Sequence, residues 1–240
     1  MKGDSMQRYF VQEKSGDSFI LSSGDLHHIK DVMRYDVNDL IEIVYNKTIY
    51  KCKITNMLPF SLEIIDEYKQ DSELKANLVV AVSLVSEQKF DLILQKLTEL
   101  GVNRIIPIMT DRSIVKLDEG KVSKKLERWR KICKEASEQS HRIIIPSVDN
   151  ILDIKDIVKV KSDLKLVCSL GENAKQLNDC LDSSYSDILF VIGPEGGLSS
   201  KEEKYLLDNG FTGVSLGKRV LRVETAAIYV ASIISYVYGG

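Results

Sequence analysis

The chain has 240 residues, of which 44% are hydrophobic and 28% charged, and at roughly 150 residues per domain it holds one or two domains. That balance excludes bulk disorder, and a chain of this length buries a sizeable core without disulfides or a structural metal. Lys and Arg number 33 against 35 Asp and Glu, a net charge of −2, which excludes a global basic coat for nucleic acid and leaves room only for a local patch.

The first ten residues, MKGDSMQRYF, lack the apolar stretch of a signal peptide. Residues 7–68 read as short strands with turn signals, among them 17–21, 40–45, 48–54 and 61–65, with Asn46-Lys47 as a hairpin turn. A helix-like insert over 24–33 interrupts them, and the set predicts a small β-barrel. The polar stretch YKQDSELK at 68–75 is a linker, so the chain is expected to divide into domains 1–72 and 73–240. From Asn77 strands and helices alternate, the pattern of an α/β domain with a mostly parallel sheet. The run 78–85 is a strand buried on both faces, followed by a helix over 89–100 with Phe90, Ile93, Leu94, Leu97 and Leu100 at helical spacing and Gly101 as its stop. A strand at 104–109, a long helix over 121–140 and a strand at 143–145 come next. Further strands are expected at 164–170, 188–192 and 214–216, a helix to about 209 opened by the capping box Ser199/Glu202, and a closing helix over 224–237. That last segment is the best membrane candidate, but it falls short of the roughly 18 apolar residues a span requires and carries Ser232 and Ser235.

Cys52, Cys133, Cys168 and Cys180 are far apart and form no CxxC pair, which argues against a zinc ribbon or a disulfide scaffold and for reduced thiols in a cytoplasmic protein. The three histidines, His27, His28 and His141, form no HxxxH or HExxH, so no metal is expected. The run 121–131 carries six basic residues against Glu127 alone. It is either a solvated helix face or a phosphate-contacting patch, and Trp129 within it either packs in the core or stacks a base.

Two strand–loop–helix junctions concentrate the chemistry. In the first, Ile192-Gly193-Pro194-Glu195-Gly196-Gly197-Leu198-Ser199 follows a buried strand. Its glycines either make a structural turn or let the backbone approach a ligand. It is neither a P-loop nor a GxGxxG fingerprint, and Glu195 would repel a polyphosphate, so a nucleoside without phosphates, or a cationic one, is easier to reconcile. The second, Leu216-Gly217-Lys218-Arg219-Val220-Leu221-Arg222-Val223-Glu224-Thr225, brings three cations to a helix start. Glu224 or Thr225 is either a plain cap or part of a site. No GxSxG elbow is present.

The segments GPEGGLSSKE (193–202) and LGKRVLRVETA (216–226) resemble the signature loops of the SPOUT methyltransferases, and more narrowly those of the bacterial ribosomal RNA small subunit methyltransferase E group. The resemblance extends over nearly the whole chain, through QRYF (7–10), HHIKDVMR (27–34), QKFDLILQKLTELGV (88–102), DRSIVKL (111–117) and RWRKICKEASEQSHR (128–142). Lys218 stands where the family usually has proline, Val223 where it has threonine, and His141 where it has glycine.

The resemblance implies a C-terminal trefoil-knotted SPOUT domain, a fold that general chain rules disfavour, behind an N-terminal PUA-like barrel. It implies a homodimer that binds S-adenosylmethionine through Leu170, Ile192, Gly193, Glu195, Gly196, Gly197, Leu216, Gly217, Leu221 and Thr225. The reaction it implies is methylation of N3 of a uridine in 16S ribosomal RNA, free or in the small subunit. In that reading Arg222 stabilises charge on the uracil, and Glu224 is a proton acceptor or only a cap. RNA contacts fall to Arg8, His28, Arg34, Arg112, Lys116, Arg142 and the helix cations Lys124, Lys125 and Arg128. The rival expectations are a SPOUT enzyme acting on another RNA, such as a tRNA 2′-hydroxyl, and a non-catalytic RNA-binding assembly protein.

Overall fold

The computed structural model describes residues 6–16, 18–113 and 119–239. The chain divides into two compact units, one of Met1–Ser72 with Ser137–Ile144, the other of Glu73–Ala136 with Ile145–Gly240.

The first unit contains β1 (Arg8–Phe10), β2 (Glu13–Ser15), β3 (Ser18–Ile20), α1 (Ser23–His27), β4 (Leu40–Tyr45), β5 (Thr48–Met57) and β6 (Phe60–Tyr68). Its four-stranded sheet runs β1-β4-β5-β6, with β2 and β3 as a separate hairpin. Asn46 and Lys47 join β4 to β5 at φ of 48° and 62°, the left-handed pair of a turn whose twist matches the flanking strands. Alternate residues Ile41 and Ile43, with Tyr9, Phe19, Ile29, Cys52 and Ile54, form the core of this unit. The Ser22 side chain and Asp25 cap α1 reciprocally, and the chain then continues through one wider π turn over His28–Val32.

Arg8 explains why 137–144 joins this unit. It is 1% exposed. Its Nε donates to Glu42 at 2.9 Å, and its Nη1 donates to the carbonyls of His141 and Arg142 at 2.5 and 3.2 Å. His141 has a φ of 55°, and the Arg142 amide donates back to the Ser137 carbonyl at 3.0 Å. This is a helix-terminating left-handed position, which suits glycine best. A non-glycine residue there costs about 1–2 kcal/mol, the physical reason glycine would be the easier choice at this place. No strand forms at 143–145, contrary to the apolar run: the carbonyls just before it are committed to Arg8, and pairing begins after Pro146.

The second unit contains β7 (Asn77–Ser83), α2 (Glu87–Glu99), β8 (Arg104–Met109), most of α3 (Glu119–Gln139), β9 (Ser147–Val148), β10 (Leu152–Asp153), β11 (Leu164–Cys168), β12 (Lys175–Gln176), β13 (Asp187–Ile192), α4 (Ser200–Asp208), β14 (Thr212–Ser215) and α5 (Val223–Tyr238). The sheet order is β10-β8-β7-β13-β11-β14-β12, with β9 also beside β8, and every pairing in it is parallel. The apolar run of β7 divides by alternation. Leu78, Val80 and Val82 face the core shared with α2, α5 and Phe190, while Val79 and Ala81 face Ile106, Val191, Leu206 and Phe211. Trp129 is 3% exposed and packs against Phe90 with ring centroids 4.5 Å apart, so it is a core residue. The start and end of the unit meet where the Lys75 amide donates to the Tyr238 carbonyl at 3.0 Å. Among the described residues no helix is long and apolar enough to cross a membrane.

Candidate active site

Strands β13, β11 and β14 are neighbours and parallel, with Val167 opposite Val191 and Cys168 opposite Val214. Their carboxyl ends therefore emerge on one edge, the side where open parallel sheets hold ligands. The loops that follow them, 169–174, 193–199 and 216–222, border a cleft lined mostly by apolar side chains, the character of small-molecule sites.

Of the residues expected to hold the cofactor, the cleft is lined by Leu170, Ile192, Gly193, Glu195, Gly197, Leu216, Gly217 and Leu221. Gly196 and Thr225 are not among its lining residues. Gly196 sits behind the loop, where its carbonyl accepts from Arg112 Nη1 at 2.6 Å, and Thr225 is exposed on the first turn of α5. The glycine loop is tight. A side chain at Gly193 would meet the Leu198 amide at 3.0 Å, and Gly197 holds a φ of 69° while its amide closes a turn on the Pro194 carbonyl at 2.8 Å. The capping box forms as expected: Glu202 accepts the Ser199 amide at 2.8 Å and, with its other oxygen, the Asp111 amide at 2.7 Å. The start of α4 is thereby tied to the segment after β8.

The residues 216–222 lead into α5, whose first turn borders the cleft through Val223 and Ala226. Arg222 is the N-cap residue of α5, is exposed, and makes no side-chain capping bond. Glu224, on the same turn, has one carboxylate oxygen, Oε2, buried without a hydrogen-bond partner among the described residues. A buried acceptor left unpaired is costly and marks a place where a donor is missing.

Two contributors, Lys89 and Ser169, carry no local signal. Lys89, in the first turn of α2, places Nζ 2.7 Å from Glu195 Oε1 across 106 positions of sequence. The Ser169 hydroxyl donates to the Glu203 carboxylate on α4 and accepts the Gly171 amide at 3.0 Å, which leaves Leu170 78% exposed at the cleft mouth opposite the equally exposed Val220. Arg219 also lines the cleft. Only the fold brings these residues together.

Electrostatics within the cleft follow from these contacts. The Lys89 ammonium holds the Glu195 carboxyl below its ordinary range, and the same hydrogen bond raises Lys89. Cys168 lines the cleft, and burial pushes its thiol up to about 12; burial does the same to Cys52 in the first unit. In the folded protein at pH 8 both thiols are expected to react with a thiol reagent at least about tenfold more slowly than in denaturant, because the thiolate is the nucleophile. Equal rates in the two conditions would contradict the burial. Both folded values exceed the ordinary 9.0, so the contribution of these thiols to stability is intact below pH 9 and declines as pH rises toward 12.

The residues expected to meet RNA are dispersed. Arg34 is exposed with a φ of 54°, and Lys124 is exposed on α3 while Lys125 is half-buried. His28 is half-buried, its Nδ1 2.9 Å from the Tyr9 hydroxyl. Arg8 and Arg142 lie in the interior of the first unit at 1% and 3% exposure, where a phosphate does not reach them. Arg128 pairs with Asp91 and, at 3.0 Å, with Glu87, so its charge is spent on the start of α2. Arg112 braces the glycine loop as described, and Lys116 lies outside the described residues. Among the described residues no three His, Cys, Asp or Glu side chains converge as metal ligands.

Comparison with known proteins gives concordant results. Residues 72–235 match the family model described as an RNA methyltransferase domain, and residues 15–61 match an RNA methyltransferase PUA domain. The chain is 35% identical to the ribosomal RNA small subunit methyltransferase E of Bacillus subtilis, over 96% of each chain. It is also 35% identical to that of Mesomycoplasma hyopneumoniae, over 94% of this chain and 97% of the relative. The Neisseria gonorrhoeae ribosomal RNA small subunit methyltransferase E, solved bound to S-adenosyl methionine, superposes with a TM-score of 0.88 at 30% identity over 98% of both chains.

Proposed function

The chain belongs to the ribosomal RNA small subunit methyltransferase E family of RNA methyltransferases, and from that premise we infer that it methylates N3 of a uridine in 16S ribosomal RNA with S-adenosylmethionine. The cleft suits this cofactor. Aliphatic side chains of Ile192, Leu198, Leu216 and Leu221 offer an apolar bed for adenine, and the glycine loops let backbone groups approach its edge. Glu195, its charge balanced by Lys89, tolerates a cationic sulfonium, and Arg219 supplies a guanidinium for a carboxylate. Bound there, the cofactor supplies an electrophilic methyl group.

The observation that carries the reading is the presence, on the first turn of the helix that borders this cleft, of an exposed guanidinium, Arg222, and of a buried Glu224 oxygen without a hydrogen-bond partner among the described residues. Uracil N3 carries a proton and is a poor nucleophile until that proton leaves. Glu224 Oε2 lacks the donor that an N3–H would provide, and Arg222 offers positive charge to a carbonyl oxygen of the uracil as negative charge develops there. Holding the base at the cleft edge sets the attacking nitrogen in line with the methyl group.

Further parts of the reading concern assembly. Arg34 in the first unit and Lys124 on α3 provide the phosphate contacts that the buried arginines do not. The exposed Tyr229 and Tyr236 on α5 support a homodimer. A substrate in ribosomal RNA supports a cytoplasmic location.

The test is methyl transfer from labelled S-adenosylmethionine to small subunits, naked 16S RNA and bulk tRNA, each from cells lacking the enzyme. Label recovered as 3-methyluridine from 16S RNA is the expected result, and the better of the first two substrates identifies the assembly state. Label only in tRNA would overturn the substrate, and cofactor bound without transfer to any of the three would point to another RNA.

A further inference from the structure

The uracil N3–H lies between two carbonyl oxygens. When the N3–H bond breaks and the proton leaves, its electron pair stays on the ring and spreads over both oxygens. One guanidinium, Arg222, satisfies one side and leaves the other oxygen facing the rest of the site. Charged residues at this edge of the unit come from three elements. Lys89 comes from the first turn of α2, Glu195 from the loop after β13, and Arg222 and Glu224 from the start of α5. Helix α2 packs against α5, which brings the start of α2 toward Arg222 and Glu224, and both of their charges act on the Lys89 ammonium. Its side chain is one third exposed, and the carboxylate it pairs with, Glu195, lines the cleft. An ammonium has three donors, and the 2.7 Å contact with Glu195 uses one of them, fixing where the other two sit.

We propose that Lys89 is a second catalytic cation of this site, donating to one uracil carbonyl oxygen while Arg222 serves the other, with the N3 proton passing to Glu224 Oε2 between them. The proposal rests on the uridine reading above. Glu195 is then a positioning residue for Lys89 as well as a wall of the cofactor cleft. In this arrangement two cations flank one buried acceptor, which favours the uridinate and leaves the proton a defined destination.

The test uses the full-length protein with saturating S-adenosylmethionine in single-turnover methylation, followed across pH on uridine-containing and 5-fluorouridine-containing 16S RNA. Cofactor Kd and melting temperature are measured alongside. Lys89→Met is expected to lower the rate on uridine about a hundredfold, the loss typical of removing one donor to a developing anion. It should move the rate-controlling ionisation to higher pH and leave cofactor Kd within several-fold. The N3 proton of 5-fluorouridine leaves more readily, so that substrate should recover most of the loss, and Lys89→Arg should retain more activity than Lys89→Met. A Lys89→Met rate within twofold of wild type overturns the proposal. So does a loss that 5-fluorouridine does not repair and that Glu195→Gln reproduces, because Lys89 would then only brace the loop. If the wild-type protein yields no 3-methyluridine at all, the uridine reading itself fails, a result distinct from either of these.

Discussion

Replacing Arg222 with alanine is expected to cut methyl transfer by about a hundredfold to a thousandfold while S-adenosylmethionine binding stays within several-fold of wild type. The separation follows from where Arg222 sits. It is the N-cap residue of α5 without a side-chain capping bond, it is exposed, and it does not line the cleft. Deleting its side chain therefore removes no cofactor contact and no helix cap, and fold and cofactor affinity are expected to persist. What is lost is positive charge at the place where the uracil becomes anionic, an interaction that exists fully only in the transition state and so appears in turnover rather than in binding. Single-turnover methylation alongside calorimetric titration of cofactor gives both numbers. Wild-type turnover in the variant would remove Arg222 from the mechanism. A parallel collapse of cofactor affinity would make it a binding residue instead.

Phe190→Ala is expected to cost about 3–5 kcal/mol of folding stability, the usual price of emptying a buried phenylalanine site. Phe190 is 0% exposed on β13, with Val80 of β7 on one side and Leu166 of β11 on the other. It faces the core shared with α2 and α5. Since β13 carries the glycine loop from Ile192 onward, the cavity also loosens the frame of the cleft. Urea denaturation measures the effect. Cofactor at a hundred times its Kd should return about 2.7 kcal/mol in wild type by mass action, and less in the variant if the loop is disordered by the cavity. A loss below about 1.5 kcal/mol would mean that the sheet closes around the gap, contrary to a parallel core held in register on both sides.

How much of this was legible from the residues varies with range. Segments whose burial repeats along the chain were readable in advance. Strands 40–45 and 104–109 appear with the expected bounds, the Ser199/Glu202 cap forms, and α5 begins and ends within a residue of its expectation. Periodicity and capping are local, and local geometry dictates them. The two-residue strands β9, β10 and β12 had no such signal, because so short an element has no period and exists only where the sheet offers an edge. The apolar triplet at 143–145 misled for the opposite reason: hydrophobicity was present, but Arg8 had claimed the neighbouring carbonyls from more than a hundred residues away.

The site divides in the same way. The two loop motifs and the charge on them belong to the sequence, because glycine freedom, the carboxylate of Glu195 and the placing of Arg222 and Glu224 at a helix start are properties of neighbouring residues. Which cations are free belongs to the tertiary structure. Arg8, Arg128 and Arg142 are alike expected to contact RNA, yet one is buried on Glu42, one is paired with Asp91 and one is 3% exposed. Lys89 reads as an ordinary helix residue until the parallel order β7-β13-β11-β14 brings the start of α2 against the glycine loop. Motifs record what neighbours along the chain can do. The availability of a charge depends on partners that only folding supplies, and the free energy of pairing or burying it is decided there.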